Sequence, residues 1–152
     1  MSRVLLAVGL FSLAGCSSVI PPSTPEDKAV AFVEKLGGIV NRDPNRPGNP
    51  VVSVHLRECK VTDADLKELA PFTELASLNL SKTQVTDAGL KELARFQNLH
   101  SLGLRETAVT DAGIKDLAEI KSLTDLYFGG SKITLDGLKE LRRALPKCEV
   151  AE

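Results

Sequence analysis

The chain has 152 residues, 43% of them hydrophobic and 26% charged, with 19 Lys and Arg set against 20 Asp and Glu. That composition is that of a globular chain of about one domain, and a net charge of -1 leaves no electrostatic excess to hold a phosphate backbone, which sets nucleic acid aside as a partner. Three cysteines and two histidines are too few and too scattered for a disulfide scaffold or a clustered metal site, so neither a metal nor another cofactor is expected.

Taken in chain order, Met1-Ser2-Arg3 supplies a positive start and Val4 to Leu13 an apolar run broken only by Gly9 and Ser12, too short for a stable anchor helix. The next residues, Leu13-Ala14-Gly15-Cys16, resemble the processing box of bacterial lipoproteins. The resemblance implies that residues 1–15 are a signal peptide, that the Cys16 thiol carries diacylglycerol and becomes the new N-terminus, and that Ser17 directs the product to the outer membrane. The expected location is the bacterial cell envelope, on a membrane reached through the N-terminal lipid, facing the periplasm or the exterior. Several acyl chains hold firmly where one holds marginally. Processing leaves 18 basic against 20 acidic residues, still close to neutral. Residues 16–23 form a Ser/Pro tether that reaches at most about 25–30 Å, so the folded part is expected to sit close to its membrane.

Residues 24–50 are expected to form an N-terminal helix and hairpin cap. Ser23 or Thr24 is a candidate N-cap, Pro25 falls in the first turn, Glu26 and Asp27 lie at the positive helix end, and Gly37-Gly38 is the stop. Val30, Val33 and Leu36, with Phe32 beside them, form the apolar face. Ile39-Val40 starts an extended segment, and a proline-rich loop from Asp43 to Pro50 returns the chain to Val51.

From Val51 the sequence repeats with a period of 24. Val61-Thr62-Asp63-Ala64-Asp65-Leu66, Val85-Thr86-Asp87-Ala88-Gly89-Leu90, Val109-Thr110-Asp111-Ala112-Gly113-Ile114 and Ile133-Thr134-Leu135-Asp136-Gly137-Leu138 share one register, which places four coils over residues 51–146. Columns that start at Val51, Val54, Leu56, Val61, Leu66, Leu69 and Phe72 stay apolar through every coil, down to Ala144. Within a coil, Leu75-x-x-Leu78-x-Leu80 has the period of a half-buried strand, while Leu90, Leu93 and Phe96 have that of a helix face behind the N-cap Thr86, with Asp87 at the positive helix end. At 147, where a fifth coil would need Leu, stands Lys147, and only Val150 still matches. Residues 147–152 are therefore expected to add a truncated capping strand.

The segment Leu75-x-x-Leu78-x-Leu80-x-x-Thr83-x-Val85 resembles the leucine-rich repeat consensus, and the continuation Val-Thr-Asp-Ala-Gly-Leu resembles bacterial lipoprotein versions of it. The resemblance implies an α/β solenoid with parallel strands on a concave face and helices on a convex face. The slot usually held by Asn or Cys contains Cys59, Thr83, Thr107 and Ser131, each able to turn inward toward loop backbone. Phe72, Phe96 and Phe128 fall in core columns, which leaves Tyr127 as the outward aromatic.

Outward strand positions nominate His55, Arg57, Asn79, Ser81, Arg105 and Tyr127 as a concave binding surface. His55, Ser77 and Asp125 invite a catalytic reading, but His55 and Asp125 are three coils or about 14 Å apart, too far for a triad, so no enzymatic activity is expected. Cys59 and His55 point to opposite faces and lack a third metal ligand. His100 falls just outside the inward columns and reads as a solvated surface histidine. Four strand steps, about 19 Å, separate Cys59 from Cys148, beyond the span of a disulfide. On the convex side Lys67-Glu68, Lys91-Glu92, Lys115-Asp116 and Lys139-Glu140 stack in register, so cations of one helix could approach acids of the next in weak pairs. The expected function is a non-enzymatic recognition module whose concave face takes a protein, peptide or glycan. The alternative is a structural envelope component with no specific partner, which the scarcity of aromatic anchors favours. A five-strand face of on the order of 300 Å² is small beside the about 800 Å² of a stable interface, so binding is expected to be weak.

Overall fold

The first described helix shows how local sequence sets the N-terminal cap. In a computed structural model, which describes residues 24–151, helix α1 spans Pro25–Lys35. Thr24 is its N-cap, with the Asp27 N–H donating to the Thr24 hydroxyl at 3.0 Å and the Thr24 N–H donating to the Asp27 carboxylate at 3.2 Å. This reciprocal pair satisfies two of the otherwise orphaned donors of a helix start. At the other end Gly37 adopts φ +84°, the left-handed stop that glycine takes without a Cβ penalty. Gly38 is required for a different reason: a Cβ there would lie 2.7 Å from Leu56 Cδ2 and 2.9 Å from the His55 carbonyl. The buried face of α1 is Ala29 and Val33, with Val30 and Leu36 packed at its margin. The processing box, Cys16 and the tether lie outside the described residues.

Strand β1 (Ile39–Arg42) runs antiparallel to β2 (Val51–His55), and the parallel strands β3 (Ser77–Asn79), β4 (Ser101–Gly103), β5 (Asp125–Tyr127) and β6 (Glu149–Ala151) follow in order. The register advances by one repeat per strand, so Ser53, Ser77, Ser101, Asp125 and Glu149 form one row. The sheet thus has six strands, one more than the repeats alone imply, because the cap hairpin pairs onto the first coil. Arg42 ties this hairpin to α1, donating to Glu26 at 2.6 Å and to the Asn49 carbonyl at 3.0 Å.

Behind the strands run a 3-10 helix at Asp63–Leu69, then α2 (Asp87–Leu93), α3 (Ile114–Glu119, preceded by a 3-10 turn) and α4 (Leu135–Ala144). Helices and sheet enclose one continuous core that includes Leu56, Leu66, Phe72, Leu80, Leu90 and Phe96, all 2% exposed or less. Each such side chain contributes about 1.5–3 kcal/mol by leaving water, and because no coil could cover both its faces alone, neighbours supply the burial.

Two column expectations change. Ala144, aligned with Phe72, Phe96 and Ile120, is exposed, and Leu145 enters the core in its place at 5% exposure. The cause is helix length: α4 has ten residues where α2 has seven, which carries the chain one position further before it turns inward. On the convex face the ion pairs that form among the described residues lie within single coils, Arg95 with Glu92 and Lys139 with Asp136. The Lys and Glu columns of successive helices do not pair, since exposed pairs offer little to set against side-chain entropy.

A ladder of aspartates holds successive coils together. The Asp63 carboxylate accepts from the Thr86 N–H and the Thr86 hydroxyl, both at 2.7 Å. Asp87 does the same for Thr110 at 2.8 and 2.7 Å, and Asp111 for Thr134 at 2.8 and 2.6 Å. Each aspartate thus serves the helix cap of the next coil as well as the dipole of its own helix. The glycine two residues after each N1 position makes room, for a Cβ at Gly89, Gly113 or Gly137 would stand 2.5, 2.6 or 2.1 Å from the carboxylate of the preceding coil. Coil 1 has no aspartate before it, and there the glycine is replaced by Asp65, which accepts from the Thr62 N–H at 2.8 Å. In coil 4 the aspartate itself is replaced by Leu135, 72% exposed.

Candidate functional site

The concave face is built from the strand positions that the core does not claim. Its central row is Ile39, His55, Asn79, Gly103, Tyr127 and Ala151, set side by side by the strand register. Strand ends continue into loops whose first turn is left-handed at Glu58, Lys82, Glu106 and Gly130, with φ between 53° and 75°. Non-glycine residues tolerate this region at a cost, and here the backbone is held by hydrogen bonds to the next coil: Glu58 N–H to the Ser81 carbonyl at 3.0 Å, and Lys82 N–H to the Arg105 carbonyl at 2.7 Å. Lys82 also bridges Glu58 at 3.2 Å and Glu106 at 3.8 Å. The Lys82 ammonium, by its hydrogen bond first and its charge second, holds the Glu58 carboxyl below the usual carboxylate range.

The six nominated residues separate into two groups with a gap between them. His55 and Arg57 are exposed on coil 1, with Ser53 Oγ 3.2 Å from His55 Nε2 and Arg57 Nε 3.4 Å from Glu58. On coils 3 and 4 the Arg105 guanidinium lies over the Tyr127 ring at 5.2 Å from its centroid, a cation–π contact that presents a flat, amphipathic surface. Between them the Asn79 side chain turns back to accept from the Ser81 N–H at 3.0 Å. Ser81 is only 3% exposed, which corrects its place in the expected surface: it is buried beside the folded-back Asn79 side chain and the Gly103 backbone rather than offered at the face. Gly103 follows from the same fold-back, since a Cβ there would meet Asn79 Oδ1 at 2.8 Å.

Ile39 is an addition that the repeat pattern could not reveal. It is 61% exposed and pairs with His55 across the hairpin, so an apolar side chain borders the coil 1 group. The sequence offered no alternation to mark it, since Ile39-Val40-Asn41-Arg42 sets two apolar residues before two polar ones. His55, Ser77 and Asp125 stand on β2, β3 and β5 and are not brought together. Among the described residues no cluster of three His, Cys, Asp or Glu could hold a metal ion.

The inward slots behave as anticipated in the two middle coils. Thr83 donates to the Leu80 carbonyl at 2.6 Å and Thr107 to the Leu104 carbonyl at 2.7 Å, both buried. Cys59 and Cys148 are free thiols, one after β2 and one before β6. Burial, with a smaller contribution from Asp125, pushes the Cys148 thiol up to about 11, so it stays protonated and unreactive at neutral pH.

Five parallel strands in front and short helices behind, with the antiparallel cap strand at one edge, define a short leucine-rich repeat solenoid. A leucine-rich repeat family model matches residues 74–94. Among solved structures, the chain is similar to the second actin-binding site of leiomodin-1, with a TM-score of 0.56, 17% identity and coverage of 82% of this chain and 77% of that one. It is also similar to a leucine-rich repeat protein of Leptospira interrogans at a TM-score of 0.45 and 24% identity, where 57% of this chain matches and spans 21% of the other's length. The ectodomain of the Arabidopsis thaliana receptor kinase SOBIR1 gives a TM-score of 0.48 at 18% identity, over 78% of this chain and 74% of that one. No curated protein matches the chain.

Proposed function

We propose that this chain is a lipid-anchored protein of the bacterial envelope, most suitably of the outer membrane, and that it acts as a non-enzymatic recognition module through its concave face. One observation carries the reading. Core columns and the Asp–Thr ladder repeat from coil to coil, whereas the concave row changes at each step, His55, Asn79, Gly103 and Tyr127. Positions that the fold holds constant serve the stack, and a solvent-facing row released from that demand is where recognition can be written. Structures of this fold include a receptor-kinase ectodomain and an actin-binding site, which agrees with a protein or peptide partner.

The face is narrow. Six strands at about 4.8 Å give a span of about 24 Å, and three-residue strands give about 10 Å of width, on the order of 250 Å². Micromolar or weaker affinity is expected, strengthened by avidity among anchored copies. Replacing Arg57, Arg105 and Tyr127 together by alanine is expected to abolish capture of a stoichiometric partner from solubilised membranes while leaving the circular dichroism spectrum unchanged. Undiminished capture would place recognition elsewhere, and the absence of any stoichiometric partner would favour a structural envelope role.

The anchor has its own test. Cys16→Ser is expected to leave an unlipidated precursor that retains residues 1–15, read by mass spectrometry of the N-terminus beside that of the wild type. A wild-type N-terminus that begins at a residue other than Cys16, or carries no lipid, would refute the anchor.

A further inference from the structure

The C-terminal end of the stack carries a cleft unlike the other grooves between coils, and we propose that it binds an acidic peptide segment bearing one large apolar side chain. The cleft encloses about 290 Å³ and is lined by Lys121, Leu123, Ala144, Leu145, Pro146 and Lys147. That is space for roughly ten waters, enough for one branched or aromatic side chain. The earlier grooves are of similar size, about 320 and 270 Å³, but here the column filled by Phe72, Phe96 and Ile120 ends at the small, exposed Ala144, which lines the cleft.

Charge sets this cleft apart. The equivalent grooves between earlier coils hold both signs, Glu74 with Arg95 in one and Glu119 with Lys121 in the other. The charged side chains that line the terminal cleft are both cations, Lys121 and Lys147, with exposed Arg142 and Arg143 on the adjoining last turn of α4. Arg142 continues a column that is Ala70, Ala94 and Ala118 in the other coils, where each alanine sits half-buried beside the next coil. Residues 132–147 contain five cations against two acids in a chain of net charge -1, and none of Lys121, Arg142, Arg143 or Lys147 makes an ion pair among the described residues. An apolar floor rimmed by the Lys121 and Lys147 ammonium groups is complementary to an apolar side chain between carboxylates. A flat anionic bilayer would meet the rim but leave the concavity unfilled, which is why the peptide is favoured.

The test uses the full chain carrying Cys16→Ser and fluorescein-labelled five-residue peptides, read by anisotropy. Glu-Glu-Phe-Glu-Glu is expected to bind about tenfold more tightly than Glu-Glu-Gly-Glu-Glu, the gain of burying one aromatic side chain, and Lys-Lys-Phe-Lys-Lys is expected not to bind. Lys121→Glu with Lys147→Glu should weaken the acidic phenylalanine peptide about tenfold. Ala144→Phe, which puts a bulky ring on a residue that lines the cleft, should reduce it to the level of the glycine peptide. The Arg57, Arg105 and Tyr127 triple-alanine chain should bind it unchanged, so failure here is distinguishable from failure of the concave reading. Thermal unfolding confirms that each variant folds. Equal binding of the phenylalanine and glycine peptides in the unmutated cleft overturns the proposal. So does flotation with phosphatidylglycerol vesicles that depends on Lys121 and Lys147 while the peptide fails to bind.

Discussion

Asp87→Ala is expected to lower the stability of the fold by about 2–3 kcal/mol, seen as a shift of the urea midpoint with an unchanged denaturant slope. The carboxylate accepts two hydrogen bonds from Thr110, at 2.8 and 2.7 Å, in a half-buried site between coils 2 and 3. Bonds to a charged group contribute about 1.5–3 kcal/mol each when shielded, and partial exposure lowers the pair below the simple sum. The loss also frees a Thr110 N–H at the start of a helix, where an acceptor is needed. The matching control is Leu135→Asp, which installs the same residue in the same column at the end of the stack. The strand β6 that follows coil 4 brings no threonine to it, so that change is expected to be close to neutral. A loss below about 0.5 kcal/mol for Asp87→Ala, within the range of ordinary surface substitutions, would show that the ladder does not hold the coils. Acid acts on the same device. The Thr134 hydroxyl and then its N–H hold the Asp111 carboxyl below the ordinary carboxylate range, so its contribution is complete above that range and fades as pH falls through it.

Gly113→Ala is expected to destabilise by about 1–3 kcal/mol, the opposite of what its place in a helical turn suggests. An exposed glycine in a helix interior costs about 1 kcal/mol relative to alanine, so replacement ordinarily stabilises. Here the new Cβ would lie 2.6 Å from Asp87 Oδ1 and 2.6 Å from Leu90 Cδ1. Leu90 can shift its side-chain end, but the carboxylate is pinned by Thr110 and must give up its bonds or push the coils apart, and overpacking of this kind costs about 1–3 kcal/mol. The two predictions are coupled. In an Asp87→Ala background the obstructing carboxylate is gone, so adding Gly113→Ala should cost much less than it does alone, and the double-mutant cycle should return a coupling above about 0.5 kcal/mol. Additive effects would mean that the glycine is present for some reason other than room for the aspartate.

The architecture was legible because a repeat states its pattern several times. The 24-residue period, the apolar columns and the threonine N-caps each recur, and physical demands that recur in every coil leave a trace that no single segment could provide. Legibility failed where the chain departs from the repeat. Ala144 satisfies an apolar column on paper, yet helix length decides which residue turns inward, and Leu145 does. Gly89, Gly113 and Gly137 give no reason for themselves within their own helical turns, since that reason is a carboxylate oxygen 26 residues earlier in the chain. Asp63, Asp87 and Asp111 were visible as dipole partners of their own helices, but their bonds to the next coil follow only from stacking distance.

The same division holds for the candidate site. The sequence by itself determined which residues face away from the core, because strand period two makes His55, Arg57, Asn79, Arg105 and Tyr127 outward once the leucines are inward. Tertiary structure alone decided which of them are available. Ser81 is buried, Asn79 folds back onto the Ser81 N–H, Arg105 settles on Tyr127, and Ile39 joins from a hairpin outside the repeat. Periodicity specifies the direction in which a side chain leaves the backbone, a local property. What it meets there depends on residues one coil away, and the distances between coils exist only after the stack has formed.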